Sequence, residues 1–234
     1  MDIYKVKLIE NIKRTQTVES YRFAPAEKIV FQPGQFLRVM FDEKDPNNKE
    51  LNKYLSFSCS PAKDYIEVTK RLSQSQFSQR LKALKIGDQL TIQAPLGKCV
   101  FKDEYKKIAF VIGGIGITPV ISILEYIVEK KLGTNVLLFY SNRTEEEIAF
   151  KNELDAWMAQ NSNIKIIYTV TDCPPKNKTC IFGAIDQRLL KENINDCGER
   201  TFFIFGPPRM VDSVKPLCVG INAKEVFTEG FIGY

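Results

Sequence analysis

No histidine occurs among the 234 residues, an absence that removes Ser-His and Cys-His nucleophilic catalysis, histidine metal sites and the commonest proton shuttle. The chemistry should then ask little proton transfer of the protein itself, a limit that hydride and electron transfer by a cofactor meet. The six cysteines, Cys59, Cys99, Cys173, Cys180, Cys197 and Cys218, include no C-x-x-C pair and no cluster of four. That spacing argues against a zinc site, an iron–sulfur cluster or a dithiol motif, and no metal is expected. Cys173 and Cys180 bracket a polar loop, open to a disulfide or, in a cytoplasmic chain, to two reduced thiols. No apolar run reaches the roughly 18 residues of a membrane span. The start, Met1-Asp2-Ile3-Tyr4-Lys5, has none of the apolar character of a secretory signal, so the expected location is cytoplasmic. A surface of one charge sign is lacking too, because the net charge is only +5 and the lysines lie among acidic residues. Nucleic acid is therefore not an expected ligand, and a weak preference for anionic partners is all that follows.

What is present, 44% hydrophobic residues, suffices for one large domain or two small ones, each with its own core. The first hundred residues read as short strands between turns. Val6–Glu10, Thr17–Phe23, Phe36–Phe41, Tyr54–Ser58, Tyr65–Lys70 and Gln89–Ala94 alternate or carry β-branched and aromatic side chains. Six such strands suggest a small antiparallel β-barrel, interrupted by one helix over 77–84 with Ser75 or Ser78 as its cap. After Phe101, buried strands (108–112, 135–140, 164–170, 201–205 and 225–227) alternate with helices (119–131, 145–159, 185–192 and 209–218). This is the βαβ pattern of an α/β domain built on a parallel sheet. The charged segment Lys102–Lys107 places the boundary, giving domains 1–101 and 102–234.

Two glycine-rich turns stand in the second part. Gly113-Gly114-Ile115-Gly116-Ile117-Thr118-Pro119 follows the apolar run Ile108–Ile112, and Gly206-Pro207-Pro208 follows Phe202–Phe205. A buried strand that runs through glycines into a helix lets a phosphate approach backbone N–H groups at the helix's positive end. An ordinary tight strand-to-helix turn has the same form, so the rest of the chain must decide.

Taken in order, Pro33-Gly34-Gln35-Phe36, Lys53-Tyr54-Leu55-Ser56-Phe57-Ser58-Cys59-Ser60-Pro61, Gly87-Asp88, Ala94-Pro95-Leu96-Gly97, the two glycine turns and Glu229-Gly230-Phe231-Ile232-Gly233-Tyr234 form a set spread over nearly the whole chain. The set resembles the ferredoxin–NADP reductase-like family of flavoproteins. The resemblance implies an N-terminal barrel that binds FAD and a C-terminal domain that binds NADH or NADPH, with the nicotinamide stacking on the flavin. It further implies that Lys53, Leu55 and Ser56 take the places of the family's Arg-x-Tyr-Ser. There the arginine pairs with the flavin diphosphate, the tyrosine lies along the ring or ribityl, and the serine hydroxyl sits near N5. Tyr54, Phe57 and Ser58 complete that flavin segment. Lys53 keeps the charge without the bidentate fork, and Leu55 keeps apolar contact without the phenol. Ser75-Gln76-Phe77-Ser78 stands at the family's Gly-x-x-Ser diphosphate turn, with serine in place of the glycine. Lys70 and Arg71 read either as further charge for the diphosphate or as solvated charges at a strand end.

In the second domain the resemblance assigns Gly113, Gly114, Gly116, Thr118 and Pro119 to the pyridine-dinucleotide turn and Gly206, Pro207 and Pro208 to its counterpart. Phe205 stands where relatives usually carry a cysteine close to the nicotinamide C4. Thr118 reaches toward the nicotinamide or its diphosphate, or serves only as a helix cap. Glu229 resembles a carboxylate that some relatives use for proton traffic near N5, and Tyr234 is either a gate over the flavin or a frayed end. Ser141 and Arg143 sit where the adenosine ribose is expected, and together could accept the 2′-phosphate of NADPH. Similar Asn-Arg-Thr strings accompany NADH in the family too, and Arg143 could instead pair with Glu145, Glu146 or Glu147. The lean is toward NADH.

The expected function is that of an FAD-dependent NAD(P)H oxidoreductase, with Ser56, Glu229 and Tyr234 as candidate catalytic residues. No ferredoxin-like cysteine set follows Tyr234, so electrons are expected to leave to a separate acceptor. That acceptor is a protein, such as an oxygenase component or ferredoxin, or a small molecule such as a quinone, free flavin or ferric chelate. The alternative is a flavin-binding regulatory or electron-transfer subunit of a larger redox complex, with little NAD(P)H turnover of its own. Retention of the turn glycines and Thr118 speaks against it. FAD versus FMN and the oligomeric state stay open.

Overall fold

Along the first strand Val6 and Leu8 turn inward while Lys5, Lys7 and Ile9 turn out, the alternation of a sheet with one dry face. The computed structural model describes residues 2–176 and 179–231, which divide into two units. The first comprises the chain up to Phe101 together with Thr118–Tyr126; the second comprises Lys102–Ile117 and the chain from Ile127 onward. Tyr234 lies outside the described residues.

In the first unit, strands β1 (Asp2–Lys13), β2 (Val18–Pro25), β3 (Phe36–Met40), β4 (Asn52–Ser56), β5 (Ile66–Arg71) and β6 (Gln89–Leu96) form an antiparallel sheet ordered β4-β3-β6-β1-β2-β5. The two edges meet at one bridge, Phe57 opposite Val68, and the Ser58 N–H donates to the Glu67 carbonyl at 2.8 Å. The sheet is thus a nearly closed barrel, as the strand pattern predicts. β1 is longer than the expected 6–10 because a bulge between Leu8 and Glu10 breaks its alternation partway. Phe23, Leu37, Val39, Phe57, Val68 and Ile92 fill the interior, and helix α1 (Gln76–Ala83) adds Phe77 and Leu81, one turn apart on its buried face.

The second unit is a parallel sheet of β7 (Lys107–Gly113), β8 (Asn135–Asn142), β9 (Ile164–Val170), β10 (Cys180–Phe182), β11 (Thr201–Gly206) and β12 (Glu225–Gly230), ordered β10-β9-β8-β7-β11-β12. Most of α2 (Thr118–Glu129) groups with the first unit, whereas α3 (Lys151–Gln160), α4 (Gln187–Asn193) and α5 (Pro208–Gly220) belong to this one. The short edge strand β10 is not visible in the sequence pattern, because Ile181 and Phe182 are both exposed and give no alternation. The helix expected over 145–159 is broken. Glu145–Glu147 form one tight turn, Ile148, Ala149 and Phe150 are buried, and Phe150 takes a left-handed conformation before α3 begins.

Successive strands run from β7 outward through β8 and β9, then return to place β11 on the other side of β7. The order therefore reverses at β7, and the carboxyl ends of β7 and β11 flank a topological switch point where open α/β sheets bind ligands.

Candidate functional site

The flavin segment lies where the barrel parts. Beyond the Phe57–Val68 bridge β4 and β5 share no ladder, so they diverge and leave a slot. Lys53 and Leu55 alternate onto the face of Phe57, and Lys70 onto the face of Val68, which sets these three residues along the slot. Tyr54 alternates the other way. It is 60% exposed, with the Phe36 ring edge-on at 5.7 Å and the Arg38 guanidinium 5.4 Å from its ring centre.

Lys70 is only 8% exposed, and its ammonium stands 6.0 Å from the Phe77 ring centre. No carboxylate pairs with it among the described residues. Burial first, and the nearby charge of Lys53 second, hold its ammonium below the usual lysine range. Neither lysine has a carboxylate partner among the described residues, which suits the pair to an anionic ligand. Beside them α1 begins with no acidic residue in its first turn. Ser75 caps it, accepting from Ser78 N at 3.3 Å, and the hydroxyls of Ser73, Ser75 and Ser78 lie within 3.1–3.3 Å of one another. A helix start with uncompensated dipole, hydroxyl donors and two lysines fits a diphosphate. Ser75 sits at φ −64°, ψ 150°, an ordinary extended backbone that needs no glycine. Ser73 was not among the expected residues; the Ser73-Gln74-Ser75 run is the signal that marks it.

The hydroxyls of the flavin segment divide by partner. Ser58 Oγ bonds Glu67 and Thr69, and Ser60 Oγ accepts from the Ala62 N–H. Ser56, 5% exposed at the end of β4, makes no side-chain hydrogen bond among the described residues. Phe57 stacks on Phe31 at 3.8 Å inside the barrel, and Arg71 donates to Thr17 Oγ1 at the strand end.

In the second unit the two glycine turns meet. Gly114 takes φ +52° and opens the tight turn Gly114–Ile117, from which α2 starts at Thr118 with Pro119 in its first turn. A Cβ on Gly116 would lie 2.6 Å from the Phe205 carbonyl oxygen and 2.9 Å from Gly206 N. One on Gly206 would lie 3.2 Å from Gly113 N, and one on Gly113 would collide with Met210 Sδ. Bare backbone thus meets bare backbone at the carboxyl ends of β7 and β11, the switch point of the sheet. α5 then starts at Pro208, after Pro207, with no acidic residue in its first turn.

Ser141 pairs with Gly113 on one side and Thr169 on the other. Arg143 is exposed and pairs with none of the three glutamates that follow it: Glu146 binds Lys176 at 2.8 Å, and Glu145 accepts from Lys176 N at 3.1 Å. The Phe205 ring is wholly buried, 5.9 Å from Phe203 and 6.4 Å from Phe231. Glu229 lies opposite Phe205 in register, half-buried, and has no partner among the described residues. Burial raises its carboxyl above 4.5.

A nearly closed barrel whose parted edge could hold a diphosphate, with a parallel sheet whose switch point is lined by glycines, fits a flavin- and pyridine-nucleotide-dependent oxidoreductase. The model of the oxidoreductase FAD-binding domain matches residues 5–101, and that of the oxidoreductase NAD-binding domain matches residues 110–216. NADH-cytochrome b5 reductase 1 of Debaryomyces hansenii is 27% identical over 229 residues, which cover 94% of this chain and 80% of that protein. The NADH nitrate reductase of Solanum lycopersicum is 33% identical over 150 residues, 58% of this chain and 16% of that protein, so the chain spans a small part of that relative. A ferredoxin NADP+ reductase structure from Neisseria gonorrhoeae, with bound FAD and NADP, shares the fold at a TM-score of 0.81 and 19% identity, over 98% of this chain and 99% of that one. The chain belongs to the ferredoxin–NADP reductase-like family of FAD-dependent NAD(P)H oxidoreductases.

Proposed function

We propose that this chain takes hydride from NADH and delivers the electrons to a separate acceptor, with residues 1–101 as the flavin domain and 102–234 as the nucleotide domain. FAD, when bound, would supply the hydride-accepting and electron-releasing chemistry. Lys53 and Lys70 would neutralise the diphosphate, and α1 would lend it N–H and hydroxyl donors through Ser75 and Ser78. Ser56, whose hydroxyl has no partner among the described residues, would hydrogen-bond the flavin ring and fix it for transfer. Gly113, Gly114, Gly116 and Gly206 give the dinucleotide backbone access, and Thr118 adds a hydroxyl at the start of α2. Glu229, whose carboxyl is shifted upward by burial, is the candidate for proton exchange during turnover. The observation that carries the reading is the buried, uncompensated Lys70 beside Lys53 at the start of α1.

NADH as donor follows the printed names of the two relatives and the lean of the sequence. The exposed Arg143 is the residue that would favour the 2′-phosphate of NADPH. For the acceptor, a protein partner such as a haem protein, ferredoxin or oxygenase component is the first choice. Among the described residues no helix is long and apolar enough to cross a membrane, and a cytoplasmic location is part of the proposal. The test is an anaerobic absorption spectrum before and after each nucleotide. Rapid bleaching of the flavin bands by NADH is the expected result. A flavin that neither nucleotide bleaches overturns the function, and a tenfold preference for NADPH overturns the donor.

A further inference from the structure

The wall of the barrel holds a buried polar ring that none of the cofactor contacts above uses. Glu67 on β5 is 2% exposed, and its carboxylate accepts from Arg14 Nη2 at 3.1 Å, from Arg22 Nε at 2.7 Å and from Ser58 Oγ at 3.2 Å. Arg14 Nε also donates to Ser20 Oγ at 2.8 Å. Ser20 Oγ lies 2.6 Å from Thr69 Oγ1, which lies 2.7 Å from Ser58 Oγ. The circuit Glu67–Arg14–Ser20–Thr69–Ser58–Glu67 closes on itself.

Its ends determine every proton in it. The guanidinium can only donate and the carboxylate can only accept. Ser58 gives its single proton to Glu67, so it must accept from Thr69; Thr69, having given its proton, must accept from Ser20. All the hydroxyls therefore point one way round, toward the charge on Glu67.

The place of this ring in the barrel gives it a consequence for the flavin slot. Ser58 follows Phe57, and Glu67 and Thr69 flank Val68, so the ring grips from the outer face the same crossing that the Phe57–Val68 bridge makes on the inner face. That crossing is where β4 and β5 part. Burying a carboxylate with two guanidinia is a poor route to stability compared with apolar packing. What it does supply here is one fixed angle of divergence and one orientation of the strand that ends in Ser56. It also commits the Ser58 and Thr69 hydroxyls elsewhere, whereas the Ser56 hydroxyl stays uncommitted among the described residues.

We infer that Glu67 is a positioning residue for hydride transfer, acting through Ser58 on the placement of Ser56. The inference rests on the flavin reading of the slot. Two variants test it: Glu67→Gln removes the charge that orders the ring, and Thr69→Val breaks the ring between Ser20 and Ser58 while leaving both guanidinium–carboxylate contacts in place. Each is reconstituted with FAD and compared with the wild type in four measurements: thermal unfolding without FAD, FAD affinity, the visible band of the oxidised flavin, and the rate of flavin reduction at varied NADH. The expected result in both is a displaced flavin band and a reduction rate lowered about tenfold, with half-saturating NADH unchanged within about twofold. Where Glu67→Gln does not fold, Thr69→Val decides alone. Variants that unfold at lower temperature but keep the wild-type band and rate overturn the inference and leave the ring a structural brace. Wild-type protein that takes up no FAD overturns the flavin reading and this inference with it.

Discussion

Gly116 and Phe205 are in backbone contact so close that a single methyl group has no room between them. A Cβ on Gly116 would stand 2.6 Å from the Phe205 carbonyl oxygen and 2.8 Å from its carbonyl carbon. Neither atom belongs to a flexible side chain that could swing aside. Gly116→Ala is therefore expected to force apart the ends of β7 and β11, costing about 1–3 kcal/mol of stability in the second unit. Reduction by dinucleotide should be lost while bound FAD keeps its spectrum. Differential scanning calorimetry and anaerobic titration with NADH check the two halves of this expectation. An alanine variant that reduces its flavin at the wild-type rate refutes the placement of the crevice.

Lys70 leads to a prediction with opposite signs in the two states of the protein. Without a ligand its buried ammonium faces Lys53 and no carboxylate, so Lys70→Met should leave the flavin-free protein as stable as the wild type or more so. With a diphosphate present the same lysine is a counter-ion. Its loss should weaken FAD binding at least tenfold, about 1.4 kcal/mol. Thermal melts of apoprotein and fluorescence titration with FAD measure both. A variant that binds FAD as tightly as the wild type removes Lys70 from the site.

That pair of lysines also shows where sequence reading stops. The barrel strands are legible because Val6 and Leu8, or Leu37 and Val39, alternate with outward residues, and the parallel sheet because its strands are apolar throughout. The glycine turns are legible because only glycine tolerates φ +52° at Gly114 with ease. A lysine at a strand end looks solvated, and nothing local says that α1 folds back to bury Lys70. The ring around Glu67 is hidden for a different reason. Arg22 and Arg14 lie 45 and 53 residues away from it in the chain, and only the barrel brings them together. At Phe150 no glycine or proline announces the left-handed residue that interrupts the predicted helix.

Glu229 predicts a dependence on pH. Burial lifts its carboxyl in the folded protein above the 4.5 that it regains on unfolding, so the protonated form is the one that folding favours. Its contribution is fully present below about pH 4.5 and is lost as pH rises through the raised value, after which it is constant. Relative to Glu229→Gln, the wild type should therefore lose stability across that window. Parallel melts of the two proteins from about pH 4 to pH 8 give the difference directly. A difference that is flat with pH means that the carboxyl is solvated, and withdraws Glu229 as a proton holder.

Ser56 offers the sharpest separation of binding from chemistry. Ser58 and Ser60 are committed within the protein, whereas the Ser56 hydroxyl, nearly buried at the end of β4, has no internal partner. Ser56→Ala removes a hydroxyl that makes no hydrogen bond within the described protein, so the flavin-free variant should be about as stable as the wild type. FAD affinity should change little, since Lys53, Lys70 and the start of α1 hold the diphosphate. The loss should fall on the rate of flavin reduction, by about tenfold to a hundredfold, with the NADH concentration at half-saturation unmoved. Stopped-flow reduction over a range of NADH separates the two parameters. If Ser56→Ala instead loses FAD and keeps its rate when saturated with the cofactor, the hydroxyl binds the flavin and does not place its ring for transfer.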